Sequence, residues 1–142
     1  MLTNLQIAKI NEAEKVVFTT CNKKCEPRSI YVIPSQIESN QIILSNIQME
    51  KSIKNVLENN NVFINAYLEK ENDLQIKIAG KAKIADKGVL FEKIKKYEEA
   101  HNLPENLKVN SIIIVNIVEI SFLSVSLSLI IVVLINWYIN SK

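Results

Sequence analysis

At 142 residues the chain is long enough for one domain with a real core and too short for two domains plus linkers. Apolar residues make up 48% and charged residues 23%, with two glycines and three prolines, which excludes disorder, collagen-like repeats and loop-dominated scaffolds. The formal net charge of +2, with lysines scattered among glutamates, gives no basic stripe for nucleic acid, and the charged N-terminus lacks the basic start and apolar core of a secretion signal.

Thr3 or Asn4 can cap a short helix carrying Leu5, Ala8, Ile10 and Ala13, which the β-branched pair Val16 and Val17 ends. Residues 15–20 favour a strand, 21–26 form a polar turn, and 28–35 alternate Ile30, Val32 and Pro34 with Ser29, Tyr31 and Ile33, so a hairpin is expected. A third strand follows over 41–45. Met49, Ile53, Val56 and Leu57 set one apolar stripe on a helix ending near Glu58. Residues 62–68 and 74–85 read as a second hairpin around the charged turn 69–73, the latter strand alternating Leu74, Ile76 and Ile78 with Gln75, Lys77 and Ala79. Leu90, Ile94 and Tyr97 mark a third helix broken at Leu103 and Pro104, and residues 111–120 form a β-branched last strand. Six strands with isolated helices between them suit a mainly β, α+β fold, a small antiparallel barrel, better than a parallel sheet that needs helical crossovers throughout.

Cys21 and Cys25 form a C-x-x-x-C pair with no second pair or nearby histidine, so no zinc site is expected; a disulfide across the turn is sterically allowed, and reduced thiols are the preferred reading. Glu98 and Glu99 are adjacent on a helix and point apart, which makes them a solvated face rather than an acid–base pair. His101, the single histidine, reads as a solvated residue at a helix end. No Ser-His-Asp geometry or glycine-rich phosphate loop is present, and no catalytic residue is assigned.

Residues 121–139 hold no charge and include Phe122, Leu123, Val125, Leu127 and an unbroken apolar run over 129–135. As a helix rising about 1.5 Å per residue, this stretch nearly matches a bilayer core of roughly 30 Å, with Trp137 and Tyr138 as interfacial anchors. The expectation is a domain over 1–120 and a C-terminal hydrophobic helix over 121–142 that acts as a transmembrane anchor, the charged domain being cytoplasmic. Two other readings stay open. Ser124, Ser126 and Ser128 alternate with apolar residues as if the last strand continued, and a change of reading frame near Ser121 would append unrelated apolar sequence.

The segment Leu44-Ser45-Asn46-Ile47-Gln48-Met49-Glu50-Lys51-Ser52, followed by a helix and by Asn59-Asn60-Asn61-Val62-Phe63-Ile64, resembles the FMN-phosphate segment of the pyridoxamine 5′-phosphate oxidase-like family. Arg28 after Pro27, the strand Ile78-Ala79-Gly80-Lys81-Ala82 with its G-x-A, and the closing strand over 112–120 are similar to the family in the same order, so the resemblance covers 5–120. It implies a six-stranded split β-barrel that binds FMN in a groove at a homodimer interface. Arg28 and Lys51 would hold the flavin phosphate, Ser45 and Ser52 would donate hydroxyls, the first turn of the helix would aim free N–H groups at the anion, and Leu44 with Ser45 would hold the ring edge through the backbone. The chemistry is consistent, because a phosphate of nearly two negative charges calls for a forked cation, hydroxyls and backbone donors.

The departures narrow the activity. Glu50 stands where the family often has a basic residue, Ile33 where the oxidases proper can have a lysine, and the apolar tail replaces a substrate-binding segment with arginine and histidine. Oxidation of pyridoxamine phosphate itself is therefore not expected. The implied function is an FMN-dependent oxidoreductase of unassigned substrate; the rivals are a non-catalytic flavin or haem carrier, with His101 the available axial ligand, and a cofactor-free membrane-tethered interaction module.

Overall fold

A computed structural model describes residues 1–69 and 74–123. Helix α1 (Asn4–Glu12) precedes strands β1 (Lys15–Cys21), β2 (Pro27–Tyr31), β3 (Gln36–Ile37) and β4 (Gln41–Asn46). Helix α2 (Glu50–Glu58), β5 (Asn61–Leu68), β6 (Leu74–Ala85), α3 (Val89–His101) and β7 (Ser111–Leu123) complete the order. Every pairing is antiparallel, in one sheet ordered β2-β1-β5-β6-β7-β4-β3.

Local chemistry explains the elements. Thr3 caps α1 in a reciprocal box: its Oγ1 accepts from the Gln6 N–H at 3.2 Å and its own N–H donates to Gln6 Oε1 at 2.8 Å. The β1–β2 hairpin turns through Asn22–Glu26, where Asn22 Oδ1 accepts from the N–H groups of Lys24 and Glu26. Cys25 takes φ 61°, the left-handed position that glycine or asparagine usually fills in such a turn. Strand β2 stops at Tyr31, before Pro34, which has no N–H for a ladder.

The sheet wraps around one core. Phe18 of β1, Leu44 of β4, Ile64 of β5, Ile78 of β6 and Ile113 of β7 are all fully buried in the same cluster, so strands from both ends of the sheet order face each other. Strands β1 and β5 alternate buried and half-buried residues, as one-sided strands do. Strand β4 and the start of β7 are buried on both faces, because α3 lays Phe91 and Ile94 over Ile43, Ile112 and Ile114. Helix α2 inserts Val56 into the main core and packs Met49 and Ile53 against it.

Three expectations change, and a fourth, the membrane anchor, falls mostly outside the described residues. Among the described residues the sheet has seven strands rather than six, the extra one being the two-residue β3. Ser121–Leu123 do not start a helix; they continue β7, paired with Gln75, Ile76 and Lys77 of the long strand β6. No helix among the described residues is long and apolar enough to cross a membrane, and the rest of the proposed anchor, 124–139, lies outside the described residues. Glu98 is buried rather than solvated, accepting from Asn102 Nδ2 at 2.8 Å, while Glu99 Oε1 accepts from the Val109 N–H at 3.0 Å, so the two carboxylates fasten the loop after α3.

Candidate functional site

Two of the sequence-derived residues meet at one end of the barrel. A cleft of about 340 Å³ is bounded by the β1–β2 turn, the start of β2 and one flank of α2. Arg28 enters from β2, while Lys51, Lys54, Asn55 and Glu58 come from α2 at spacings of three, four and seven, which is one helix face. The scaffold is fixed by local bonds. Asn55 Nδ2 donates to the buried Thr20 Oγ1 at 3.1 Å, tying α2 to β1. Asn22 Nδ2 donates to Glu26 Oε2 at 2.6 Å, and Glu58 Oε2 accepts from the Lys23 N–H at 3.3 Å.

The electrostatic consequence is directional. Both carboxylates of the cleft, Glu26 and Glu58, already accept from the turn, whereas the side chains of Arg28, Lys51 and Lys54 make no ion pair or hydrogen bond among the described residues. Three cations face two engaged carboxylates, so the cleft suits an anion with several acceptor oxygens. Of the first turn of α2, Lys51 lines the cleft. Glu50 is exposed, does not line the cleft, and sits in the first turn of α2, where a negative charge complements the helix dipole.

The other residues lie elsewhere. Ser52 is fully buried on the inner side of α2, its Oγ without a hydrogen-bond partner among the described residues, and it does not line the cleft. Leu44 projects into the main core. Ser45 is buried and shares a 2.7 Å hydrogen bond between its Oγ and that of Ser35. Its backbone is the more available part: the β3 ladder ends at Ile43, whose carbonyl accepts from the Ser35 N–H. Antiparallel alternation then turns the Ser45 N–H and C=O toward the open edge and those of Leu44 toward β7.

Ser45 belongs to a second, larger cleft of about 1020 Å³, walled by Tyr31, Val32, Ile47, Met49 and Tyr97 among others. Strand β2 links the two clefts, since Arg28 at its start lines the first and Tyr31 at its end lines the second, roughly 10 Å apart along an extended chain. Sequence reasoning missed Lys54, Asn22 and Asn55. Lys54 was legible, three residues after Lys51 on a recognised helix; the asparagines were not, because only the folded turn brings Asn22 beside α2. Among the described residues no group of three or more His, Cys, Asp or Glu side chains can hold a metal, and both cysteines are free thiols.

The fold has known counterparts. HupZ from Group A Streptococcus superposes with a TM-score of 0.76 at 17% identity, covering 88% of this chain and 96% of that one. An FMN-binding protein from Syntrophomonas wolfei gives 0.72 at 18% identity, covering 84% of each chain. A Clostridium acetobutylicum protein related to general stress protein 26, of the pyridoxinephosphate oxidase family, gives 0.62 at 9% identity, covering 84% of this chain and 91% of that one. The fold is thus the split barrel of FMN-binding and pyridoxamine 5′-phosphate oxidase-like proteins. No protein-family profile and no curated protein sequence matches the chain.

Proposed function

We propose that the chain is an FMN-binding flavoprotein, an oxidoreductase of the pyridoxamine 5′-phosphate oxidase-like kind that works as a homodimer. The observation that carries this reading is the convergence of Arg28 and Lys51, from separate elements, on one cleft with unengaged cations. The donor set fits a flavin phosphate. The guanidinium offers a fork of donors, Lys51 and Lys54 add point charges, and the Asn22 and Asn55 amides add neutral polar lining. The larger cleft, reached along β2, offers apolar and aromatic walls to a ring and the Ser45 backbone to its polar edge. When bound, FMN supplies hydride or electron transfer, and the protein's part is to hold, orient and shield it. Leu44 and Ser52 act in this scheme through packing, holding β4 and α2 in place.

Homodimer formation is supported by the outer face. Tyr31 is 74% exposed and Ile33 90% exposed beside the larger cleft, a costly surface for an isolated chain. On the same sheet, Asn65 Oδ1 is buried with no hydrogen-bond partner among the described residues.

Arg28→Ala tests the assignment. Loss of a charge-assisted pair costs about 1.5–3 kcal/mol, so FMN affinity falls roughly 10- to 150-fold while the fold stays intact. Unchanged affinity removes Arg28 from the site. Glu26 and Glu58 in the cleft favour a second reading, a cofactor-free interaction module, which predicts no FMN binding by the parent protein.

A further inference from the structure

A third cavity, of about 520 Å³, runs along α3 on the side facing Ser35 and Gln36. Lys93, Lys96, Tyr97, Ala100 and His101 line it at helical spacings of three, four, seven and eight, with the buried Ile94 beneath. We propose that this groove binds an aromatic anion, a flat apolar ring bearing one carboxylate or sulfonate.

Charge selects the anion. Among the described residues no carboxylate lines this groove, whereas the larger cleft carries Glu14 and Glu98 and the Arg28 cleft carries Glu26 and Glu58. Lys93 and Lys96 have no ion pair or side-chain hydrogen bond among the described residues. Their neighbour Lys95 is engaged elsewhere, 5.5 Å from the centre of the Phe91 ring.

Shape selects the ring. The Tyr97 and His101 rings stack at 4.7 Å with 23° between their planes, which builds a two-ring aromatic wall. His101 Nδ1 lies 2.9 Å from the Tyr97 carbonyl oxygen, and since that oxygen can only accept, Nδ1 donates and the imidazole is locked in the stack. The cavity lies within the roughly 300–1,000 Å³ of small-molecule sites. An apolar wall rimmed by two unpaired ammonium groups gives a ligand with an apolar body and an acidic end both of the contacts it needs.

The groove shares Ser35 and Tyr97 with the larger cleft, beside the proposed ring site, and no residue with the Arg28 cleft, so it is separate from the phosphate site and is tested on the flavin-free chain. Fluorescence titration of the flavin-free full chain with anilinonaphthalene sulfonate, and with the uncharged phenylnaphthylamine, tests it. The sulfonate dye should bind saturably at one site. The double substitution Lys93→Gln with Lys96→Gln, both exposed positions, should weaken it roughly tenfold and leave the uncharged dye unaffected. Arg28→Ala should leave the sulfonate dye bound as before, whatever it does to FMN. Absence of saturable binding overturns the proposal, as does equal affinity in parent and double variant, or loss of the dye on Arg28→Ala instead.

Discussion

Gly80 occupies the register shift between β6 and β7, where a side chain has no room. A Cβ there would lie 2.5 Å from Val115 Cγ1 and 2.8 Å from the Asn116 carbonyl oxygen. Val115 is fully buried and Asn116 is paired with Lys81 in the ladder, so neither neighbour can retreat without disturbing the core. Overpacking of this kind costs about 1–3 kcal/mol, while Gly→Ala returns about 0.4–1 kcal/mol by restricting the unfolded chain. Gly80→Ala should therefore destabilise by about 1–2 kcal/mol. For a chain of this size the melting temperature should fall by roughly 4–8 °C. Urea and thermal unfolding followed by circular dichroism give both quantities. In a Val115→Ala background the same substitution should cost less, because one of its two clashes is gone, and should still destabilise, because the carbonyl remains. Parent-like stability of Gly80→Ala, or an equal cost in both backgrounds, refutes this account of the β6–β7 crossing.

Asn46→Ala should lower stability by about 1–3 kcal/mol, because Asn46 Nδ2 donates to Ser111 Oγ at 2.9 Å and its Oδ1 accepts from the Met49 N–H at 2.9 Å in a buried setting. The urea midpoint reads this, and since Met49 leads into the turn carrying Lys51, FMN affinity should fall with it. The exposed Lys15–Glu69 pair holds the lysine above its ordinary 10.5, first through the hydrogen bond to Glu69 and then through that carboxylate's charge. A raised folded-state value means the stabilisation is fully present below 10.5 and disappears as pH climbs through the raised value. Glu69→Gln should thus be slightly less stable than the parent near neutrality and indistinguishable from it at strongly alkaline pH, as urea midpoints at the two conditions will show.

Much of the fold was legible because period and burial agree. The alternation in residues 15–20, 62–68 and 74–79 marks strands with one face in the core, and the stripe of Met49, Ile53 and Val56 marks the inner face of α2. Leu57, at the edge of that stripe, is 75% exposed, since spacing alone does not say how wide the buried sector is. Strand β3 escaped notice because two residues carry no period. The strand's end was not legible for a physical reason: Ser121 and Phe122 are as compatible with an apolar helix as with a strand, and the decision rests with β6, which is long enough to pair with them. For the candidate site, residue type and order single out Arg28 and Lys51, which the fold brings to one cleft, whereas a serine at a helix start gives no sign of which way it faces, and Ser52 turns inward.

The central claim is tested most directly by the visible absorption of the protein after incubation with FMN and gel filtration. The account predicts a flavin band, shifted from that of free FMN, that elutes with the protein at the volume of a dimer, and that is lost from Arg28→Ala at the same loading. Protein that elutes without flavin at every FMN concentration tried contradicts it.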